Sequence, residues 1–145
     1  MSTTPQSYAN HTRWHPLFHF VVMPVLLINV IWTIVDCVRY PTWNCHWWIV
    51  VSVALVLLGF MTRTYSLKVQ DRLIRLEEQL RYQRLLSADL AQQAASLAVG
   101  QIIALRFAAD EELEGLVREV LGGRLTKPAE IKQAIKHWRA DEFRV

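Results

Sequence analysis

The sequence predicts an all-α membrane protein, in which two transmembrane helices form a hairpin, the second helix extends into the cytoplasm, and a small helical module follows. Two uncharged runs support this fold: the 22 positions 14–35 and the 23 positions 40–62 contain no Asp, Glu, Lys or Arg. A helix needs about 20 apolar residues to cross a bilayer core, so both runs are long enough. The remaining sequence is charged and has helical periodicity, which predicts helices in water.

We divide the chain into six segments on this basis. These are an N-terminal cytoplasmic segment (1–16), a first transmembrane helix (17–38), an outer loop (39–46), a second transmembrane helix (47–65), a cytoplasmic helical extension (66–96) and a helical module (97–145). Two buried helices of a soluble bundle are the alternative, but such helices usually keep a polar stripe, which these runs lack. No basic start and small-residue cleavage site flank the first run, so a cleaved signal peptide is not expected.

Basic residues predict the orientation of the two transmembrane helices. Five of them follow the second run within 62–81, whereas the loop carries only Arg39. Because basic residues near the membrane ends stay on the cytoplasmic side, both termini are expected inside the cell. Aromatic residues mark the two expected interfaces, with Trp14 and Tyr65 inside and Tyr40, Trp43, Trp47 and Trp48 outside.

Two residues of the first transmembrane helix stand out. Pro24 cannot donate a backbone hydrogen bond and predicts a kink. Asn29 is the strongly polar side chain deep in this helix. It is either a tolerated local polarity or a hydrogen-bonded contact with another helix worth roughly 0.5 to 2 kcal/mol, and the helix contact is our interpretation.

Cys37 and Cys45 lie at the two ends of the outer loop. In an oxidising compartment they could form a disulfide. The alternative is a pair of unlinked small residues at helix ends. The sequence leaves both open, because a bridge requires Cα atoms within about 7 Å.

The charged continuation of the second helix contains neither Pro nor Gly over 62–90, so one long helix is expected. Its apolar residues follow a four-three-four spacing at Val69, Leu73, Leu76 and Leu80. This seam of two heptads is too short to identify a coiled coil by itself. Glu77 and Arg81 stand four apart and predict an exposed ion pair.

Three short helices are expected in the module. Gly100 precedes the first, Asp110 is the expected N-cap of the second, and Pro128 lies in the first turn of the third. The predicted core of this docking module is Leu113, Leu116, Val117, Ile131, Ile135 and Trp138. The last three share one helical face, so Trp138 is expected to be buried.

His11, His15 and His19 are four residues apart, a spacing that could bind a transition metal on a continuous helix. Pro16 interrupts that helix, and an interfacial histidine more often forms hydrogen bonds. No metal or cofactor is therefore assigned. A haem would require two chains, because His19 and His46 lie at opposite ends of the expected hairpin.

Catalytic motifs are not found: the sequence contains no glycine-rich phosphate loop, nucleophile elbow or CxxC pair. We expect no enzymatic activity and no catalytic residue. The last helix and its flanks are basic, with Arg124, Lys127, Lys132, Lys136, Arg139 and Arg144. A solvated face explains them most simply, contact with anionic lipid is the next explanation, and nucleic acid is not expected as a partner.

Several segments resemble an uncharacterised family of small bacterial two-span membrane proteins, a domain of unknown function. They are NHTRWHP and FHF in 10–20, KVQDRLIRLEE in 68–78, ALRFA and DEEL in 104–113, and IKQAIKHWR in 131–139. The resemblance covers nearly the whole chain and implies a location in the bacterial cytoplasmic (inner) membrane, but no activity. Cys37 and Cys45 do not belong to the pattern.

The sequence therefore favours an integral membrane interaction protein, an accessory or scaffold subunit within the lipid bilayer. It would join a homo-oligomer or a larger membrane complex. The alternative is a metal or haem carrier that uses the N-terminal histidines.

Overall fold

The structure, a computed structural model, describes residues 7–8 and 15–141 of the 145-residue chain. All regular elements in this part are helical: a π-helical segment Leu17–Val22, α1 (Met23–Arg39), α2 (Trp43–Leu85), α3 (Ala88–Ala95), α4 (Val99–Leu105), α5 (Asp110–Leu121) and α6 (Pro128–Ala134). The predicted all-α class is thus confirmed for these residues. Two compact units result, an apolar unit Trp14–Leu67 and a C-terminal unit that contains Lys68–Arg144.

Two helices are long and apolar enough to cross a membrane. They are Leu17–Arg39 and Trp43–Leu85, and their most apolar stretches are only 11% and 6% buried. A core helix of a soluble protein would instead be mostly buried. The composition that predicted two spans therefore also gives two helices whose apolar side chains face outward.

The first of these helices changes its hydrogen bonding next to Pro24. The N–H of Met23 donates to the carbonyl of Phe18, five residues earlier, and Pro24 then lies in the first turn of α1. Because Pro24 has no N–H to donate, a wider turn before it accommodates the missing bond. The structure thus has a π-helical segment next to Pro24, and the kink stays a prediction.

The charged extension is not a single helix up to residue 96. The long helix α2 ends at Leu85, and α3 begins at Ala88 after Ser87, whose backbone is extended. Leu86 and Leu90 are both buried in the core of the C-terminal unit. Packing against that core therefore breaks the helix where the sequence shows neither Pro nor Gly.

The core of the C-terminal unit is formed by the end of α2 together with α3 to α6. Its buried members from the predicted set are Leu113, Leu116, Val117, Ile131 and Ile135. Tyr82, Leu86, Leu90, Ala91 and Ala94 join them, although the sequence analysis assigned these residues to the extension. The helical module therefore includes part of the segment 66–96.

Trp138 differs from its expected position. The helix α6 ends at Ala134, Ile135 has an extended backbone, and Trp138 forms an isolated β-bridge with Ala108. The N–H of Arg139 donates to the carbonyl of Phe107 at 2.7 Å, which satisfies backbone groups without a helix. Trp138 consequently lies half-buried at the edge of the core instead of on a buried helical face.

Candidate functional site

Polar side chains of the apolar unit meet between α1 and α2. The Nδ2 of Asn29 donates to the Oγ of Ser52 at 2.9 Å, and Thr33 Oγ1 donates to the carbonyl of Val30 at 2.9 Å. Ser52 is only 2% exposed. The geometry therefore places Asn29 against a helix of its own chain, and its polar group is used in linking α1 to α2. Sequence reasoning missed Ser52 because a serine in a helix can also satisfy its own hydroxyl locally.

Cys37 and Cys45 form a disulfide in the structure, with their Cα atoms 5.2 Å apart. Together with His46 they present three possible metal-ligand atoms that all lie within 4.8 Å of one another. A thiolate is the form of cysteine that binds a metal, and the disulfide removes both thiolates. In this state the cluster closes the loop between α1 and α2 and has no free sulfur ligand.

The N-terminal histidines make local contacts where the structure describes them. The N–H of Phe18 donates to Nδ1 of His15 at 3.3 Å, and Nδ1 of His19 lies 3.0 Å from the carbonyl of His15. His11 lies outside the described residues. His15 thus accepts a hydrogen bond at the start of the helix, and this use of Nδ1 leaves only its other nitrogen for any ligand.

Arg81 is the centre of a buried ionic cluster in the C-terminal unit. Its Nε donates to Oδ1 of Asp110 at 2.8 Å, one terminal nitrogen donates to the carbonyl of Ala108 at 2.7 Å, and the other donates to Oε2 of Glu78 at 3.2 Å. Arg81 is 5% exposed and Glu78 is 4% exposed. The guanidinium of Arg81 therefore joins α2 to the segment that leads into α5.

Two further arginines extend this cluster. Arg139 lies 3.5 Å from Oε1 of Glu78, and Nε of Arg106 lies 3.2 Å from Oδ2 of Asp141. We call the six residues the arginine junction: Glu78, Arg81, Arg106, Asp110, Arg139 and Asp141. Three of its ion pairs, Arg81–Asp110, Arg106–Asp141 and Arg139–Glu78, join segments that are far apart in the sequence.

Arg81 and Asp110 occupy other positions than their helical spacing predicted. Arg81 does not form the expected exposed pair with Glu77 but is buried and pairs with Glu78 and Asp110. Asp110 is the first residue of α5, and Ala109 takes the N-cap position. Helical spacing reveals pairs within one helix only, so the distant partner of Arg81 could not be identified from it.

Two carboxyl groups of the junction have pKa values shifted in opposite directions, one by burial and the other by a hydrogen bond. Burial raises the pKa of Glu78, against the opposing effect of Arg81 and Arg139. The hydrogen bond from Arg81 lowers the pKa of Asp110 below its ordinary value of 3.8. Because the unfolded chain binds this proton more readily than the folded one, the ionised Asp110 stabilises the folded state at neutral pH. This stabilisation is lost as the pH falls through the pKa that Asp110 has in the folded state.

A cavity of about 780 Å³ borders the arginine junction. Glu78, Arg81, Arg106 and Arg139 contribute charged groups to its wall, and Leu73 and Leu80 contribute apolar groups. Glu78 is already ion-paired with Arg81 and Arg139. The ion pairs to Arg81 and Arg139 favour the charged form of Glu78 and partly offset the effect of its burial, so the charged wall of the cavity mainly joins chain segments of this unit.

Comparison with known proteins adds a family but no activity. A family model described as "Family of unknown function (DUF6526)" matches residues 1–145. No curated protein and no solved structure matches the chain.

Proposed function

We propose that this chain, which belongs to the Family of unknown function (DUF6526), is an integral membrane interaction protein, an accessory or scaffold subunit of a membrane assembly. In this proposal α1 and the first part of α2 form a transmembrane hairpin in a bacterial cytoplasmic membrane. The C-terminal unit is the docking part on the cytoplasmic side, and no catalytic role is proposed. The family membership confirms the resemblance found in the sequence, as far as an uncharacterised family is concerned.

The observation that carries the proposal is the outward-facing apolar surface of the two candidate spans. Trp32 is 71% exposed and Val38 is 78% exposed, and similar side chains continue along both helices. Soluble proteins rarely expose apolar patches above a few hundred Å². A lipid bilayer would cover this surface, while the helical hydrogen bonds satisfy the backbone in hydrocarbon.

The C-terminal unit supports the interaction role, because it has a core and an ionic junction of its own. Such a unit can fold beside the membrane and present its surface to other subunits. The basic side chains of Lys127 and Lys136 are exposed. Anionic lipid is therefore a further proposed partner, since cations close to an anionic leaflet gain about 1 kcal/mol each.

Reporter fusions test the orientation. We expect a fluorescent protein fused after residue 145 to be fluorescent, because it would stay in the cytoplasm. Alkaline phosphatase inserted within 40–44 should be active, because it folds only in an oxidising compartment. The matched control is the same phosphatase fused after residue 145, which should be inactive. An active phosphatase at the C-terminus would show that this end lies outside the cytoplasm, which would contradict the proposed layout.

Native extraction tests the assembly. We expect gentle detergent extraction to release the protein in particles that contain more protein than one 16.9 kDa chain. The measurement is native mass spectrometry of the extracted particles, with the same sample in denaturing detergent as control. A single chain per particle at every detergent concentration would contradict a role as an assembly subunit.

A further inference from the structure

A row of apolar side chains lies exposed along the charged half of α2. Val69 is 66% exposed, Leu73 and Leu76 are each 54% exposed, and Leu80 is 59% exposed. We call these four residues the leucine seam. Ile74 and Tyr82, by contrast, are buried on the side of α2 that packs in the C-terminal unit. With about 100° between successive residues, the seam and this buried side lie on nearly opposite faces of the helix.

The spacing of the seam has the geometry of one helix packing on a like helix. In heptad notation Val69 and Leu76 occupy d positions, and Leu73 and Leu80 occupy a positions. The next positions on either side are the polar residues Ser66 and Gln83. The apolar contact is therefore limited to two heptads.

We propose that the leucine seam packs against the same seam of a second copy of this chain, with the two α2 helices parallel and in register. This rests on the proposed function, because two copies inserted in one membrane with one orientation present their α2 helices in the same direction.

The charges beside the seam match this arrangement. Arg72 occupies a g position and Glu77 the following e position, and both are exposed. In a parallel, in-register pair a g residue faces the following e residue of the other helix. Arg72 of each copy would therefore face Glu77 of the other copy, which gives two attractive pairs across the interface. The pairing of opposite charges favours a second copy in register.

The membrane compensates for the short length of the seam. A free helix pair of two heptads would lose translational and rotational freedom on association, which opposes the pairing of so short a seam. Copies held in one bilayer have already lost part of this freedom, and their effective concentration is raised. Leu73 and Leu80 also border the open cavity of about 780 Å³, so a neighbouring helix has access to this side of α2.

Cysteine cross-linking in membranes tests the proposal. In a chain with Cys37→Ser and Cys45→Ser, Leu76→Cys places a thiol at a d position, where two copies would bring it close to its equivalent. The matched control is Arg75→Cys, which lies one residue away and outside the interface. With a short bifunctional thiol reagent, Leu76→Cys should give at least a several-fold higher yield of cross-linked dimer than Arg75→Cys.

Charge reversal tests the register. Arg72→Glu in the Leu76→Cys chain should reduce the dimer yield several-fold, because Glu then faces Glu. Adding Glu77→Arg should restore the yield, because the attractive pairs return in reversed order. Equal yields for Leu76→Cys and Arg75→Cys, no rescue by the second reversal, or a cross-link only to a different protein would each overturn the proposal.

The same samples separate this proposal from the proposed function. Each membrane preparation is extracted with alkaline carbonate before the products are analysed. Protein that stays in the membrane without dimer formation overturns self-association and leaves the membrane function intact. Protein released by carbonate contradicts the membrane function and removes the orientation on which the parallel pair depends.

Discussion

Replacing Arg81 with Met is expected to destabilise the C-terminal unit by about 3 to 5 kcal/mol, which is the usual effect of removing one member of a buried ion pair. The substitution leaves Glu78 in a buried position with only Arg139, at 3.5 Å, as an ion-pair partner in the junction. It also removes the hydrogen bonds that Asp110 and the carbonyl of Ala108 accept. Both effects weaken the link between α2 and α5.

Limited proteolysis of membranes in increasing urea measures this loss. Arg84→Met is the matched control, because Arg84 is an exposed arginine on the same helix. The double variant Glu78→Leu with Arg81→Met should recover part of the stability, since no charge is then left buried without its partner. If Arg81→Met resists proteolysis as well as Arg84→Met, the arginine junction does not hold the unit together.

Replacing Phe107 with Ala is expected to cost the same unit about 3 to 5 kcal/mol, since the change removes a large side chain from a closed core. Phe107 is fully buried, and its ring lies 5.0 Å from the ring of Trp138. The guanidinium carbon of Arg106 lies 4.4 Å from the centre of the same ring. Phe107→Ala would therefore remove the contacts of this ring with the core, with Trp138 and with the guanidinium of Arg106.

Trp138→Ala is the informative comparison. Because Trp138 is half-buried, its removal should loosen residues 100–141 less than Phe107→Ala does, while the two apolar helices stay in the membrane. The measurement is again proteolysis in urea, in which the loss of the fragment that contains α4 to α6 is monitored. If Trp138→Ala is as resistant as the wild type, Trp138 does not stabilise the unit and becomes a candidate for contact with a partner. A fully resistant Phe107→Ala would contradict the described core.

Periodicity and composition determined those features that depend on one helix at a time. The two apolar runs predicted both long apolar helices, because a continuous helix satisfies its own backbone whatever surrounds it. The spacing of Leu113, Leu116 and Val117 predicted the buried face of α5, and these residues are buried in the structure. Pro128 likewise marks the start of α6.

Tertiary contacts decided the features that depend on distant partners. Burial of Leu86 and Leu90 ends α2 at Leu85, although the local sequence favours a continuing helix. The hydrogen bond from the backbone N–H of Arg139 to the carbonyl of Phe107 holds Trp138 in an extended segment after the end of helix α6.

The arginine junction shows the same dependence. The helical spacing of Arg81 predicts a surface residue. In the structure Arg81 is buried and pairs with Asp110, which lies 29 positions later. Local sequence patterns record which face of a helix is apolar. They do not record which distant segment will satisfy a charge or a backbone group once the chain has folded, because that choice depends on the packing of the whole unit.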